Sequence, residues 1–150
     1  MSRSSLTLIS ILLVCLIAMA TFFGIYKIRE SRLRDSSEQY ALAFSETMFT
    51  TWNVDYFLDN CSREFCNKLP REAFVLMINN MKRIGNVQEI KSVGGVLRDS
   101  FIFNNGNVIA TYTMASSFEN ADADITVELV QEESGWKVSN FYLSSDFLAD

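Results

Sequence analysis

The chain contains no histidine, and this absence removes several kinds of site at once. Histidine is the commonest general base near neutral pH and the commonest metal ligand in proteins. Ser-His and Cys-His catalytic arrangements are therefore excluded. Three cysteines are also too few for a multi-disulfide framework or a four-cysteine zinc site. We expect no metal site and no cofactor, and we predict that the protein is not an enzyme.

Basic residues are fewer than acidic ones, with 13 Lys and Arg against 18 Asp and Glu, so the net charge is −5. A protein that binds nucleic acid is normally basic over its binding surface, so we expect no nucleic-acid partner. Hydrophobic residues make up 49% of the 150 residues, which excludes a disordered chain. This length corresponds to about one domain.

Residues 6–26 form an uncharged, apolar run of 21 residues. About 20 apolar residues are enough for a helix to cross the hydrocarbon core of a membrane. We predict a short tail at 1–5, a transmembrane helix in contact with lipid at 6–26, a basic juxtamembrane stalk at 27–35 and a soluble domain at 36–150. A cleaved signal peptide ending near Ala18-Met19-Ala20 is the alternative, although the apolar run continues beyond it.

The charges that flank this run leave the orientation open. One basic residue precedes it and four follow it, so the positive-inside rule favours a cytoplasmic C-terminal domain. A pair of cysteines in the domain favours the extracytoplasmic side, because disulfides persist in oxidising compartments. We favour the extracytoplasmic (periplasmic) orientation slightly over the cytoplasmic one.

After Ser36 the hydrophobic pattern becomes helical. Apolar side chains follow one another along a single stripe of a helix. They are Tyr40, Ala41, Phe44, Met48 and Trp52. A short second helix is expected around 56–58. A third is expected from Pro70 to Gly85, because proline suits the start of a helix and glycine its end.

Beyond Gly85 the hydrophobic period changes to two, which predicts strands at about 87–97, 108–118, 123–131 and 136–143. The sequence Asn-Asn-Gly-Asn at 104–107 is a strong turn signal between the first two strands. Helices followed by an antiparallel meander define an α+β domain. We predict three helices packed on a curved four-stranded antiparallel sheet, with a cone-shaped cavity between the two layers.

This order of elements resembles the nuclear transport factor 2-like superfamily and the related cystatin-like fold. The resemblance covers about residues 36–147. It is carried by the helix at 40–52, the segment Trp52-x-x-Asp55-x-x-Leu58, the helix at 70–85 and the closing Gly135-Trp136-Lys137-Val138. The superfamily contains enzymes, ligand binders and interaction domains, so the resemblance implies a fold and no single function. Inner-membrane assembly factors of type IV secretion machines share the plan of one membrane helix followed by a cystatin-like domain.

A cone-shaped cavity would have candidate lining residues at both layers. They are Phe44, Met48, Trp52, Asp55, Phe74 and Tyr142. A carboxylate in an apolar pocket can have a raised pKa and act as a base, and Asp55 lies between Trp52 and Tyr56 in the sequence. The favoured alternative is that Asp55 caps or solvates the end of a helix.

Cys61 and Cys66 are a candidate disulfide. They can bridge if the intervening segment is a loop, whereas positions i and i+5 of a regular helix point apart. Two half-buried thiols are the alternative.

These observations favour a membrane-anchored, non-enzymatic accessory domain that binds another protein or a second copy of itself, in a cell-envelope assembly. A module that binds a small apolar ligand in the cone is the alternative.

Overall fold

A computed structural model describes residues 3–99 and 107–148, with side chains described from residue 9 onward apart from those at 92 and 99. The chain forms two compact units, Met1–Asp35 and Ser36–Asp150. The helices are α1 (Arg3–Thr51), α2 (Val54–Asn60), α3 (Arg63–Cys66) and α4 (Arg71–Met81), with 3-10 turns at Lys82–Ile84 and Asp146–Leu148. The strands are β1 (Val87–Asp99), β2 (Val108–Phe118), β3 (Asp122–Glu132) and β4 (Gly135–Ser144). Residues 104–106 of the predicted turn lie outside the described residues.

The first unit is the N-terminal part of α1. Its side chains from Ile9 to Ile28 are exposed, and Phe22 reaches 75% exposure. An 18-residue window of α1 has a mean hydropathy of 2.4, so this helix is long and apolar enough to cross a membrane. The hydroxyl of Thr21 donates to the carbonyl of Ile17 at 2.6 Å, which satisfies this polar group without water.

α1 includes residues 27–35, the predicted juxtamembrane stalk, and ends at Thr51. Trp52 follows with φ +51°, in the left-handed region that bulky residues rarely adopt. The next residue, Asn53, caps α2 because its side-chain oxygen accepts from the backbone N–H groups of Asp55 and Tyr56. Two residues, Trp52 and Asn53, therefore separate the end of α1 from the start of α2.

α3 is a single turn that the hydrophobic pattern did not predict, because four residues are too few to show a period. Ser62 is its N-cap and accepts from the N–H of Phe65 at 3.2 Å. α4 and the 3-10 turn after it occupy most of the predicted helix at 70–85. Pro70 is the N-cap of α4, and Gly85 ends the 3-10 turn with φ +88°.

The described strands form one antiparallel sheet in the order β1-β2-β3-β4, so each strand pairs with its neighbour in the chain. The α+β class is therefore confirmed. The pairing of β3 with β4 shifts between Glu128 and Leu129, which leaves Ser139 without an opposite residue. A parallel bridge between Cys61 and Val138 adds a single residue at the free edge of β4.

One face of the sheet packs against the helices of the second unit. Burial alternates along the whole of β2, where Ala110, Tyr112 and Met114 are buried and their neighbours are more exposed. The inner face meets a cluster of phenylalanine rings from α1, α2 and α4. The opposite face, which we call the outer face, carries side chains that are mostly exposed or half-buried.

Candidate functional site

Four of the six candidate cavity residues lie in the core of the second unit. They are Phe44, Met48, Trp52 and Phe74, all at most 6% exposed. Phe44 packs edge-on against Phe141 of β4, with ring centroids 6.3 Å apart. The ring centroid of Phe74 lies 5.2 Å from that of Phe57 on α2. These two candidate side chains therefore pack against other rings of the core.

Tyr142 does not belong to this set, because it lies on the outer face and is 52% exposed. Strict alternation from the buried Trp136 and Val138 would place it inside. The bulge at Ser139 adds one residue to β4, so the inward position moves to Phe141, which is 3% exposed. The cavity role expected for Tyr142 was therefore wrong.

Asp55 also lies outside the core, at the first turn of α2, with its side chain 71% exposed. Its carboxylate pairs with the guanidinium of Arg71 at 2.7 Å, at the start of α4. The hydrogen bond from Arg71 and the charge of Asp55 raise the pKa of Arg71. Asp55 therefore lies on the surface at the start of α2, where the side chain of Asn53 is the cap.

Polar groups at the edge of the core satisfy one another. The hydroxyl of Tyr40 donates to Oδ1 of Asn60 at 2.8 Å. Burial, with a smaller contribution from Tyr56, raises the pKa of Tyr40 to about 12. The hydroxyls of Ser37 and Tyr112 lie 2.7 Å apart and are buried. None of these groups is arranged as an acid–base pair around an open space.

Cys61 and Cys66 are joined by a disulfide, with their Cα atoms 5.9 Å apart. Cys61 lies before α3 and Cys66 is the last residue of α3, so the two are not positions i and i+5 of one regular helix and can meet. Cys15 is a free, exposed thiol in the apolar part of α1. The disulfide holds α3 beside β4, where the N–H of Ser62 donates to the carbonyl of Val138 at 2.7 Å.

A groove of about 910 Å³ lies between the α3 segment and the outer face of the sheet. No local pattern in the sequence predicts this groove, because its walls come from parts of the chain that are far apart. They are residues 62–65, 67 and 68 on one side and parts of β2, β3 and β4 on the other. Six charged side chains line it, namely Glu64, Glu128, Glu132, Glu133, Arg63 and Lys68. Carboxylates outnumber cations, so the groove has a negative local charge.

A second, smaller groove of about 500 Å³ lies at the other end of the outer face. It contains Asp122, Asp124 and Asp146 beside Lys91, whose ammonium pairs with Asp122 at 3.0 Å. Within residues 3–99 and 107–148, no group of three or more acidic or cysteine side chains is arranged to hold a metal ion. Neither groove contains any of the six candidate cavity residues.

Comparison of the chain with protein-family models, with curated proteins and with solved structures produced no match. The resemblance to the nuclear transport factor 2-like superfamily rests on the order and patterning of the elements.

Proposed function

We propose that the protein is a single-pass, membrane-anchored accessory domain of the cell envelope that acts by binding another protein or a second copy of itself. The observation that carries this proposal is the outer face of the sheet. No interior candidate residue is arranged for chemistry, whereas this face presents apolar and aromatic side chains to solvent. A cone-shaped, nuclear transport factor 2-like arrangement of the helices on the sheet is part of the proposal.

The outer face contains cross-strand rows of side chains that suit an interface. Val96 and Tyr142 are 58% and 52% exposed. Val96 is on β1 and Tyr142 is on β4. The two strands between them carry Thr111 and Thr113 on β2 and Thr126 on β3, and the hydroxyls of Thr113 and Thr126 are 3.4 Å apart. Tyrosine is enriched in interfaces because one large side chain offers both apolar area and a hydrogen bond. This mixed face resembles an interaction surface more than a solvated one.

Membrane anchoring is supported by the exposed apolar length of α1. Side chains such as Leu13, Ile17 and Phe22 are all more than half exposed in a continuous helix. Exposing such a surface to water is costly, and a bilayer removes that cost. Basic residues after it suit the head-group region, and the ammonium of Lys27 lies 5.9 Å from the ring centroid of Phe23.

The disulfide supports an extracytoplasmic domain. Structural disulfides are rare in a reducing cytoplasm and common in the periplasm and outside the cell. The four basic residues after the apolar run favour the opposite orientation, but a disulfide between Cys61 and Cys66 needs an oxidising compartment to persist. The second candidate, a small apolar ligand in the cone, has less support because Phe44 and Phe74 are buried against other rings of the core.

Two measurements on the full chain test the proposal. A reporter that is active only outside the cytoplasm is fused after Asp150, and Cys61 and Cys66 are labelled with an impermeant maleimide with and without reduction. An active reporter, with labelling of the domain thiols only after reduction, is expected. An inactive reporter would overturn the envelope assignment. The labelling is done in a Cys15→Ser variant, so that only Cys61 and Cys66 can react with the maleimide.

The interaction itself is tested by photocrosslinking in intact membranes. A photoreactive amino acid is placed at Val96 or Tyr142, and at Glu46 as a matched exposed position on α1. We expect discrete crosslinked products from the two sheet positions, either a dimer or one heterologous partner, and none from Glu46. Monomer alone from all three positions would overturn the proposal that the outer face is an interface.

A further inference from the structure

We propose that the groove between α3 and the outer face binds a basic segment of the partner protein, a short run of lysine or arginine that also carries an apolar side chain. The inference rests on the proposed interaction function and names the chemistry of the partner. The groove lies beside the exposed Val96 and Tyr142 face, so one partner can contact both surfaces. Charge complementarity and the shape of the groove both point to this occupant.

The charge of the groove is the first argument. Glu128, Glu132 and Glu133 line one side, and the described residues of that side include no cation. On the α3 side, the ammonium of Lys68 already pairs with Glu64 at 3.0 Å. Residues 36–150 contain 16 acidic and 8 basic residues, so the field of the whole domain adds to the local one. Such a surface attracts cationic segments and repels acidic ones.

Two of these carboxylates are held in position before any partner arrives. Oε1 of Glu128 accepts from the hydroxyl of Ser139 at 2.9 Å. Oε1 of Glu132 accepts from the backbone N–H of Arg63 at 3.0 Å, which also ties the start of α3 to the β3 strand. A fixed acceptor loses little side-chain entropy when a guanidinium binds to it. The groove therefore resembles a preorganised site more than a set of mobile surface glutamates.

The lining also has an apolar part, which is why a purely polar cation fits it less well. Ile109 and Val130 are directly opposite each other on β2 and β3, and both are half-buried. Phe65 on α3 also lines the groove, and its ring packs against that of Phe74 with the centroids 5.7 Å apart. An apolar side chain placed between two basic residues of the partner would cover this patch.

The disulfide gives the groove its second wall. Cys61 and Cys66 bracket the one-turn helix that carries Arg63, Glu64 and Phe65. A single turn of helix is not stable by itself, so the bond and the cap at Ser62 keep this wall in place. Reduction of the disulfide is therefore expected to weaken binding in the groove while leaving the charges unchanged.

The test measures binding of a fluorescent arginine–leucine peptide to the full chain in micelles of a non-ionic detergent, by anisotropy at low and at physiological salt. Two comparison peptides replace either every arginine by glutamate or every leucine by glycine, and empty micelles give the background. We expect saturable binding of the arginine–leucine peptide, weaker binding of the arginine–glycine peptide and none of the glutamate peptide. Salt is expected to weaken the binding.

Charge reversal at the groove is compared with the same change elsewhere. The double variant Glu128→Lys, Glu133→Lys should weaken binding of the arginine–leucine peptide by at least about fivefold, since each reversal replaces an attraction by a repulsion. Glu46 is an exposed residue of α1, and Glu46→Lys should change the affinity for this peptide by less than about twofold. Val130→Thr keeps the shape of the side chain. It should weaken binding of the arginine–leucine peptide and leave binding of the arginine–glycine peptide unchanged. This variant tests the groove even if the double variant does not fold.

The two proposals fail separately. Equal binding by the groove variants and by Glu46→Lys, or no saturable binding at low salt, overturns the groove site. If crosslinking from Val96 and Tyr142 persists in that case, the interaction function stands and the partner's contact lies elsewhere on the outer face. If crosslinked products are absent as well, both proposals fall.

Discussion

The ring of Tyr112 lies against the backbone of Gly95, its cross-strand partner, in the space that a side chain at Gly95 would occupy. From the same position its hydroxyl reaches Ser37 on α1 at 2.7 Å. One buried side chain therefore covers the edge strand β1 and connects the sheet with the helix that packs on it. Glycine is required at residue 95 for space and not for an unusual backbone conformation.

Gly95→Ala is expected to destabilise the domain, because the new methyl group overlaps the Tyr112 ring. Overpacking of this kind costs about 1–3 kcal/mol. Gly94→Ala is the matched control, since its methyl group would come no closer than 4.0 Å to the carbonyl oxygen of Thr113. That change should stay within about 0.5 kcal/mol. Urea unfolding of the full chain in micelles measures both, and equal effects would contradict the packing argument.

Replacing both Cys61 and Cys66 by serine should lower the free energy of unfolding. The bond closes a small loop, with a sequence separation of 5, and the chain-entropy model gives about 2 kcal/mol for a loop of this size. Reduction of the wild-type chain should reproduce the loss, whereas reductant should not affect the double variant. Cys15→Ser should leave stability unchanged, because this thiol is free. A wild-type chain insensitive to reductant would contradict the prediction.

Stability should fall as pH rises from about 10 to about 12, because of Tyr40. Burial raises its pKa to about 12 in the folded chain, from an ordinary value of 10.0. The unfolded chain therefore binds fewer protons than the folded chain in this window, so the free energy of unfolding decreases with pH. Tyr40→Phe removes this pH dependence of the free energy of unfolding, and it also removes the hydrogen bond to Asn60. Urea unfolding at several alkaline pH values compares the two proteins, and parallel curves would refute the assignment.

Asp55→Asn and Arg71→Gln should each change stability by less than about 1 kcal/mol, because their ion pair is exposed. A double-mutant cycle measured by thermal unfolding gives their coupling, which is expected to be equally small. Asp55→Asn should also leave the crosslinking pattern from Val96 and Tyr142 intact. A folded Asp55→Asn protein that lost its cellular role would restore Asp55 as a catalytic candidate.

The α+β class could be predicted because hydrophobic periodicity is strong in both layers. Burial alternates along the whole of β2, and the buried stripe of α1 includes Ala41, Phe44 and Met48 as the spacing indicated. These patterns arise from one physical requirement, that each element buries one face. They identify which residues face inward wherever the element is regular.

The errors come from places where the backbone is irregular or the partners are distant. The bulge at Ser139 reverses the inward face of β4, so Tyr142 could not be placed by counting. α3 is too short for a period, although Ser62 three residues before Phe65 offered a capping signal. The groove needs the α3 segment beside β3 and β4, and no local pattern in the sequence encodes that approach.

Trp136 on β4 donates its indole N–H to the hydroxyl of Ser36 at 3.0 Å, across a separation of 100 residues. On the ribosome, α1 therefore emerges well before the strand that completes its contacts. At typical rates of synthesis the delay is on the order of ten seconds. During that time the apolar stripe of α1 that includes Phe44 and Phe49 has no β4 to pack against. The protein is thus expected to depend on chaperones during synthesis more than its modest size suggests.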